Sequence, residues 1–354
     1  MVRWYLLFVV TVKICVLIQR IQTVEYDTYL HVFSKRNVDK PVTILWTDTK
    51  KWGENNSFRT CSLKLIAHGY AERWNMDWRW DWVKDMKNEM LSNKTKENLC
   101  VVAIDWEKGA REVNFITAVG NADIAGQHLA EFIQNNDIGP KRLHCIGFSL
   151  GAHLCAFASA HYFRLTKKTT KFARITGLDP SGPLLRKASV DKRLSRDDAD
   201  FVDAIHTSAT FGLQEKSGHM DFFPDGGKND IPRKNVFLNI HAYIGCNHLR
   251  SPHYYISSIN QCQFRAKFCT SWSDYLRKKC KDPTDNNLTY PRMGFYAEQS
   301  DSIYQRGNGS FYLKTKSQKP YCLSESLPSL QKNQTSLTSK IKKKLSKILP
   351  KRIG

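Results

Sequence analysis

After its N-terminal segment the sequence has no apolar run long enough to cross a bilayer, and nowhere does it contain an internal repeat. The first absence excludes a multi-span helical membrane protein, and the second excludes solenoids and propellers. Acidic residues are also scarce, with 33 Asp or Glu against 54 Lys or Arg for a net charge of +21. From Leu327 onward there is no acidic residue at all beside eight Lys or Arg. No nucleic-acid recognition motif accompanies this charge, so the chain is not read as a nucleic-acid binder.

What is present is enough for a globular protein. The 354 residues with 41% hydrophobic content suit one large α/β domain or two modest ones and exclude a disordered or fibrous chain. The opening MVRWYLLFVVTVKICVLIQRIQ is basic at Arg3, apolar from Trp4 to Ile18 and interrupted at Lys13. It is short and interrupted for a membrane span and reads as a cleaved signal peptide over residues 1–22, with an uncleaved anchor as the alternative; the signal reading predicts a secreted, extracellular protein. Five Asn-x-Ser/Thr sequons, at Asn55, Asn93, Asn287, Asn308 and Asn333, are compatible with export and are candidate glycosylation sites. Ten cysteines become nine once Cys15 leaves with the signal, so at least one is expected to be free or intermolecular. Cys269 with Cys280, eleven residues apart in a polar loop, and Cys61 with Cys100 are candidate disulfides. Cys145 and Cys155 lie on apolar runs and read as buried free thiols, while Cys246, Cys262 and Cys322 cannot be paired from sequence. The tail, residues 326–354, sets Leu337, Ile341, Leu345, Ile348 and Leu349 at helical spacing among lysines. Such a segment suits an anionic membrane surface or a heparin-like glycan, against the blander alternative of a disordered solubilising tail.

Between these ends, residues 23–325 form the expected folded domain. KLIAHGY, CVVAIDW, RLHCIGF and ARITGLD read as buried strands, and TAVGNADIAGQHLAEFIQ and LGAHLCAFASAHYF as helices with small residues on one side. Strands alternating with helices predict a mostly parallel sheet covered on both faces, with functional residues at the carboxyl ends of strands. His68, Asp105, Ser149 and Asp179 all fall there. DDADFVDAIHT reads as one more buried strand, GHMDFFPDGG as a turn-rich segment and GSFYLKTK as a closing edge strand.

The chemistry centres on GFSLG, residues 147–151. The pentapeptide alone is a weak signal, but here a strand precedes it and a small-residue helix follows, the setting a nucleophile elbow needs. At so tight a turn the serine backbone is strained, and Gly147 and Gly151 supply positions without a Cβ. The helix N-terminus behind Ser149 favours developing negative charge. A serine hydroxyl needs a histidine base and an orienting acid. Asp179, thirty residues on and followed by Pro180, is the leading acid, with Asp203 its rival. His248 and His253 are nearly equal candidates for the base. His206 reads as a core histidine, and His219 and His241 stay in contention.

IAHGY, VVAIDW, GFSLGAH, RITGLDPSGP, DADFVDAIHT, GHMDFFPDGG, CNHLRSPHYY and RMGFYA, in that order, resemble the blocks of the pancreatic lipase family over residues 42–322. The resemblance implies an α/β-hydrolase fold with Ser149 as nucleophile, Asp179 as acid and His248 as base. It also implies an oxyanion hole from the backbone N–H groups of Tyr70 and Leu150, with His68 and Gly69 shaping the second donor loop. A short lid over residues 233–245, carrying Val236, Phe237, Leu238 and Ile240, is implied above the site. Cys246 lacks the usual lid partner, which accounts for the odd cysteine. KRLSRDDADF resembles the family's calcium loop, but Ser195 stands at one acidic position and only Asp198 remains, so no bound metal is expected. The chain ends before a C-terminal β-sandwich of the mammalian kind, so neither that domain nor a colipase partner is expected. No cofactor is needed for the chemistry.

Taken together, the residues and the resemblance predict a secreted serine esterase cleaving acyl esters of lipids, either a phospholipase A1-type enzyme or a neutral glyceride lipase. Two other classes stay open: a non-catalytic lipase-like carrier, and a membrane- or glycan-binding protein that works through its basic tail.

Overall fold

The computed structural model describes residues 26–54, 58, 60–75, 81–92, 98–227, 246–280, 290–299 and 309–323. The expected signal peptide, the lid residues Val236, Phe237, Leu238 and Ile240, His241, all five sequons and the basic tail lie outside the described residues.

Ten strands form one sheet in the order β2-β1-β4-β3-β5-β6-β7-β8-β10-β9. They are β1 Tyr29–Ser34, β2 Val42–Leu45, β3 Ser62–Ala67, β4 Leu99–Asp105, β5 Leu143–Phe148, β6 Phe172–Leu178, β7 Ala199–Ile205, β8 Met220–Pro224, β9 Lys267–Phe268 and β10 Gly309–Leu313. Every pairing from β4 across to β10 is parallel. Among the described residues, antiparallel strand pairs occur only at the two margins, where β1 joins β2 and β4 and where β9 joins β10. The segment expected to be turn-rich contains strand β8, because Met220, Phe222 and Phe223 are buried in the sheet. The expected edge strand is β10, but β9 covers its outer side and takes the edge instead.

Four principal helices flank this sheet: α1 Trp82–Leu91, α2 Phe115–Asn135, α3 Leu150–Leu165 and α4 Arg250–Asn260. The Asp81 and Asn114 side chains cap α1 and α2 by accepting hydrogen bonds from the Lys84 and Ile116 amides. Successive β4 residues feed opposite cores, as the two-residue period of a strand requires. Cys100, Val102 and Ile104 pack with α2 and α3, while Leu99, Val101 and Ala103 pack with α1 and α4. Small residues bring α2 and α3 close together, and a Cβ on Gly126 would meet Phe157 Cβ and the Ala158 amide at 2.9 Å.

Both expected disulfides form, Cys61–Cys100 and Cys269–Cys280, and Cys262 pairs with Cys322. Cys145 and Cys155 are not free thiols. The tight turn after β5 folds α3 back over its own strand, which leaves their Cα atoms 5.7 Å apart and the sulfurs bonded. Reading the two as separately buried missed this return. Cys246 is the free cysteine among the described residues.

Candidate active site

Ser149 is the hinge between β5 and α3, with φ 53° and ψ −117°, a conformation strained for any residue but glycine. The structure shows why both neighbouring glycines are needed. A Cβ on Gly147 would stand 2.2 Å from the Gly151 carbonyl oxygen, and one on Gly151 would stand 2.3 Å from that of Ala67. The strain is held by hydrogen bonds on both sides: the Ser149 amide donates to Leu178 O at 3.0 Å, and Ser149 O accepts from the Ser181 amide at 3.1 Å. Leu150 is the first residue of α3 and therefore has an amide with no partner inside the helix.

Asp179 follows β6 with φ 46° and is completely buried. Its Oδ2 lies 2.6 Å from His248 Nδ1, while Oδ1 accepts the Thr207 amide at 2.8 Å and the Ser208 amide at 3.2 Å. With three donors on one carboxylate, the acid is fixed in orientation. Gly212 makes room for it, since a Cβ there would come within 2.3 Å of Asp179 Oδ1. The His248 ring packs against Phe148 at 4.6 Å and Phe211 at 5.6 Å between centroids. Its Nδ1–H is committed to Asp179, which leaves Nε2 as the nitrogen able to accept a proton. Among the described residues no hydrogen bond joins Ser149 Oγ to that nitrogen. Such a contact commonly tightens only when substrate is bound.

The remaining candidates have other partners. Asp203 is buried in an ion pair with Arg174, 2.9 Å away, and also accepts from the Thr176 hydroxyl. His206 bonds Asp221, His219 accepts from the Val202 amide, and His253 stacks on Tyr321. Burial lowers the His253 pKa to about 4. In the calcium-like loop, Asp198 closes a capping box with Ser195, accepting its amide at 2.7 Å and its hydroxyl at 3.2 Å. Burial raises the Asp198 pKa to about 6, so its carboxyl is still ionised at neutral pH but is already engaged by Ser195.

Ser149 and His248 open onto a cleft of about 630 Å³ lined by Tyr70, Phe115, Pro183, Leu184, Phe211 and Leu249. Beside it, Val113, Ile116 and Leu184 are 92%, 66% and 58% exposed, an unusual display of apolar side chains around one opening. The loop after β3 lies directly against the serine, because a Cβ on Gly69 would meet Ser149 Cβ at 3.1 Å. In this loop the Gly69, Ala71 and Glu72 amides bond Glu72 Oε2, Ala110 O and Gly69 O. Among the described residues that leaves the Tyr70 amide without a protein acceptor. His68 is buried behind the loop, where desolvation lowers its pKa to about 4, and the Trp106 indole donates to its carbonyl.

Sequence reasoning missed Glu72, Gly212 and the Thr207 and Ser208 amides. Glu72 had a local signal, an acid three residues after Gly69 and able to fold back on its amide. The others are set by a loop that meets Asp179 only in three dimensions.

The family model described as Lipase matches residues 11–321. Human pancreatic lipase-related protein 2 is 31% identical over 315 residues, which cover 82% of this chain and 64% of that protein. Human inactive pancreatic lipase-related protein 1 is 30% identical over 308 residues, 80% of this chain and 62% of that one. Lipase member H of Xenopus tropicalis is 32% identical over 269 residues, 73% of this chain and 56% of its own length. The chain thus spans between 56% and 64% of the length of these relatives. With an elbow serine, a histidine–aspartate pair and an apolar cleft on a mostly parallel sheet, the chain belongs to the lipase family and has the α/β-hydrolase fold.

Proposed function

We propose that this protein is a serine carboxylic ester hydrolase that cleaves acyl esters of lipids through an acyl-enzyme at Ser149. The observation that carries this reading is the His248–Asp179 pair opening with Ser149 onto one apolar cleft. Ser149 Oγ attacks the ester carbonyl while His248 Nε2 takes its proton, and the Asp179 carboxylate steadies the resulting imidazolium. The carbonyl oxygen becomes an oxyanion facing the Tyr70 and Leu150 amides, the largest single source of transition-state stabilisation in this chemistry. His248 then returns its proton to the leaving alcohol, and a water repeats the sequence in reverse to release the fatty acid.

The apolar lining fits an acyl chain, and the exposed Val113, Ile116 and Leu184 fit a lipid surface. Within lipids the substrate is a phospholipid, cut as by a phospholipase A1, or a neutral glyceride. Hydrolysis of a mixed phosphatidylcholine and triacylglycerol emulsion separates the two by product. Four disulfides among the described residues fit an oxidising compartment, in keeping with a secreted enzyme. The basic tail is assigned to anionic membrane or heparin-like glycan binding, checked by its deletion and the salt dependence of what affinity remains.

A second reading, a non-catalytic lipase-like carrier, is favoured by one observation: a relative at 30% identity is named inactive. Turnover of a short-chain chromogenic ester decides between them. The enzyme reading expects hydrolysis that Ser149→Ala abolishes, and equal inertness of the two proteins would end it.

A further inference from the structure

We propose that Glu72 is a positioning residue of the ester-cleaving site, its carboxylate clamped between the Gly69 amide and the Trp82 indole so as to set the turn that holds the Tyr70 amide beside Ser149. The inference rests on the serine hydrolase reading and extends it to a residue outside the triad. Glu72 Oε2 accepts the Gly69 amide at 2.7 Å, and Oε1 accepts Trp82 Nε1 at 3.2 Å. Trp82 is itself fixed: it is 2% exposed at the start of α1 and packs edge-to-face on Phe148, the residue before the nucleophile. The carboxylate therefore ties the turn to the same framework that holds Ser149.

The turn needs such a tie. It closes weakly, with the Glu72 amide 3.4 Å from Gly69 O, and its third residue, Ala71, has φ 60°, where glycine is preferred. The Ala71 amide is anchored on Ala110 O at 2.9 Å, so one end of the turn is held by the backbone and the other by Glu72. Contact with the nucleophile is direct. A Cβ on Gly69 would meet Ser149 Cβ at 3.1 Å and both Glu72 Oε2 and Phe148 O at 3.3 Å. Movement of the turn by a fraction of an ångström would change the distance from the Tyr70 amide to an oxyanion on Ser149.

A carboxylate suits this place better than its isosteric amide. Both partners are N–H donors, so Gln must turn its own NH₂ toward one of them. Both oxygens of Glu72 are already engaged as acceptors. Burial raises its pKa, and the two N–H donors and the neighbouring His248 oppose that rise.

The test uses the full chain with Glu72→Gln, Glu72→Ala and Trp82→Phe, assayed on a short-chain chromogenic ester with kcat and KM resolved. An alkyl boronic acid, which forms a tetrahedral adduct on serine, serves as the second probe, and phosphonate labelling counts intact sites. Removing an oxyanion donor outright costs about 10²–10³ in rate. Loss of the clamp is therefore expected to lower kcat per labelled site by about 10–100-fold in Glu72→Ala and less in Trp82→Phe. KM should stay within about threefold, and boronic acid affinity should weaken roughly as kcat does. If Glu72→Ala does not fold, the isosteric Glu72→Gln carries the test with the same expected direction. Unchanged kcat per labelled site, or a loss confined to KM, overturns the inference and leaves the enzyme reading standing. A wild type inert toward esters overturns that reading, and this inference with it.

Discussion

Two of the histidine–aspartate pairs among the described residues stand side by side at the ends of neighbouring strands, and of these two one faces the cleft. His248 Nδ1 meets Asp179 Oδ2 at 2.6 Å, and His206 Nε2 meets Asp221 Oδ1 at 2.8 Å. Each aspartate also accepts two backbone amides, those of Thr207 and Ser208 for Asp179 and those of Ser217 and Gly218 for Asp221. What separates the pairs is the second ring nitrogen. His206 Nδ1 donates to Leu213 O at 2.9 Å inside a fully buried site, stacked on Phe223. With a carbonyl on one nitrogen and a carboxylate on the other, both nitrogens carry hydrogen and the ring is an imidazolium. His248 keeps Nε2 for the cleft. A histidine–aspartate pair thus has both ring nitrogens engaged in one place and keeps one nitrogen open to the cleft in the other, where the proposed reaction uses it as a base, and one hydrogen bond decides which.

The sharpest way to break the comparison is to remove each histidine function in turn. His248→Ala should lower kcat on a chromogenic ester by a factor of about 10⁴ to 10⁶, since members of a triad act as a unit. Its unfolding temperature should stay close to wild type, because the ring is only partly enclosed. Asp221→Ala reverses the pattern. It strands a buried imidazolium and two amides, at a cost of about 3–5 kcal/mol in stability. Chemical denaturation should show that loss, while the molecules still folded keep turning over. A large kcat effect with no loss of stability would mean that His206 is not a structural cation. Gly212→Ala probes the acid of the first pair, where the added Cβ collides with Asp179 Oδ1. Displacement of that carboxylate should lower kcat by about 10–100-fold, read against unchanged secondary structure by circular dichroism.

The same comparison shows what a sequence can carry. The parallel sheet, the elbow at Ser149 and the strand-end position of Asp179 were legible because each is written in contiguous residues: an apolar strand, a glycine-bracketed serine, an aspartate before proline. Choosing His248 over His253 was not, since both sit in one short segment, and the resemblance to a family was needed to choose. What separates them physically is a loop contact with Asp179 in one case and burial against Tyr321 in the other. The Cys145–Cys155 bond was misread for a related reason. Their spacing of ten residues says nothing until α3 is seen to fold back along β5. Glu72 and Gly212 belong to the same class, residues whose role appears only when a loop meets a distant side chain.

The smallest effect concerns charge state, and another buried histidine provides the contrast to His206. His153 Nε2–H donates to Ser181 O, while its Nδ1 accepts the Leu194 amide at 2.9 Å. One nitrogen must carry hydrogen and the other must not, so the ring is neutral, and burial lowers its pKa from 6.5 to about 4. For His206 burial also favours the neutral ring, but the bond and charge of Asp221 outweigh it and raise the pKa above 6.5. The two therefore respond to pH in opposite directions. The folded state binds the His206 proton more tightly than the unfolded chain does. That stabilisation is fully present below about pH 6.5 and is lost as pH rises through the raised folded pKa. His153 excludes a proton that the unfolded chain accepts, so its contribution is present above about pH 6.5 and declines toward pH 4. By pH 5 the decline amounts to about 2 kcal/mol. His153→Gln tests this cleanly, because the amide can still donate to Ser181 O and accept from Leu194 but does not titrate. Stability of wild type minus variant, measured by denaturant unfolding, should fall by about 2 kcal/mol between pH 7 and pH 5. His68, with a pKa also lowered to about 4, is present in both proteins and cancels. A difference that stays flat across that range would mean that His153 takes up its proton as readily folded as unfolded, and that its two hydrogen bonds do not fix the ring as neutral.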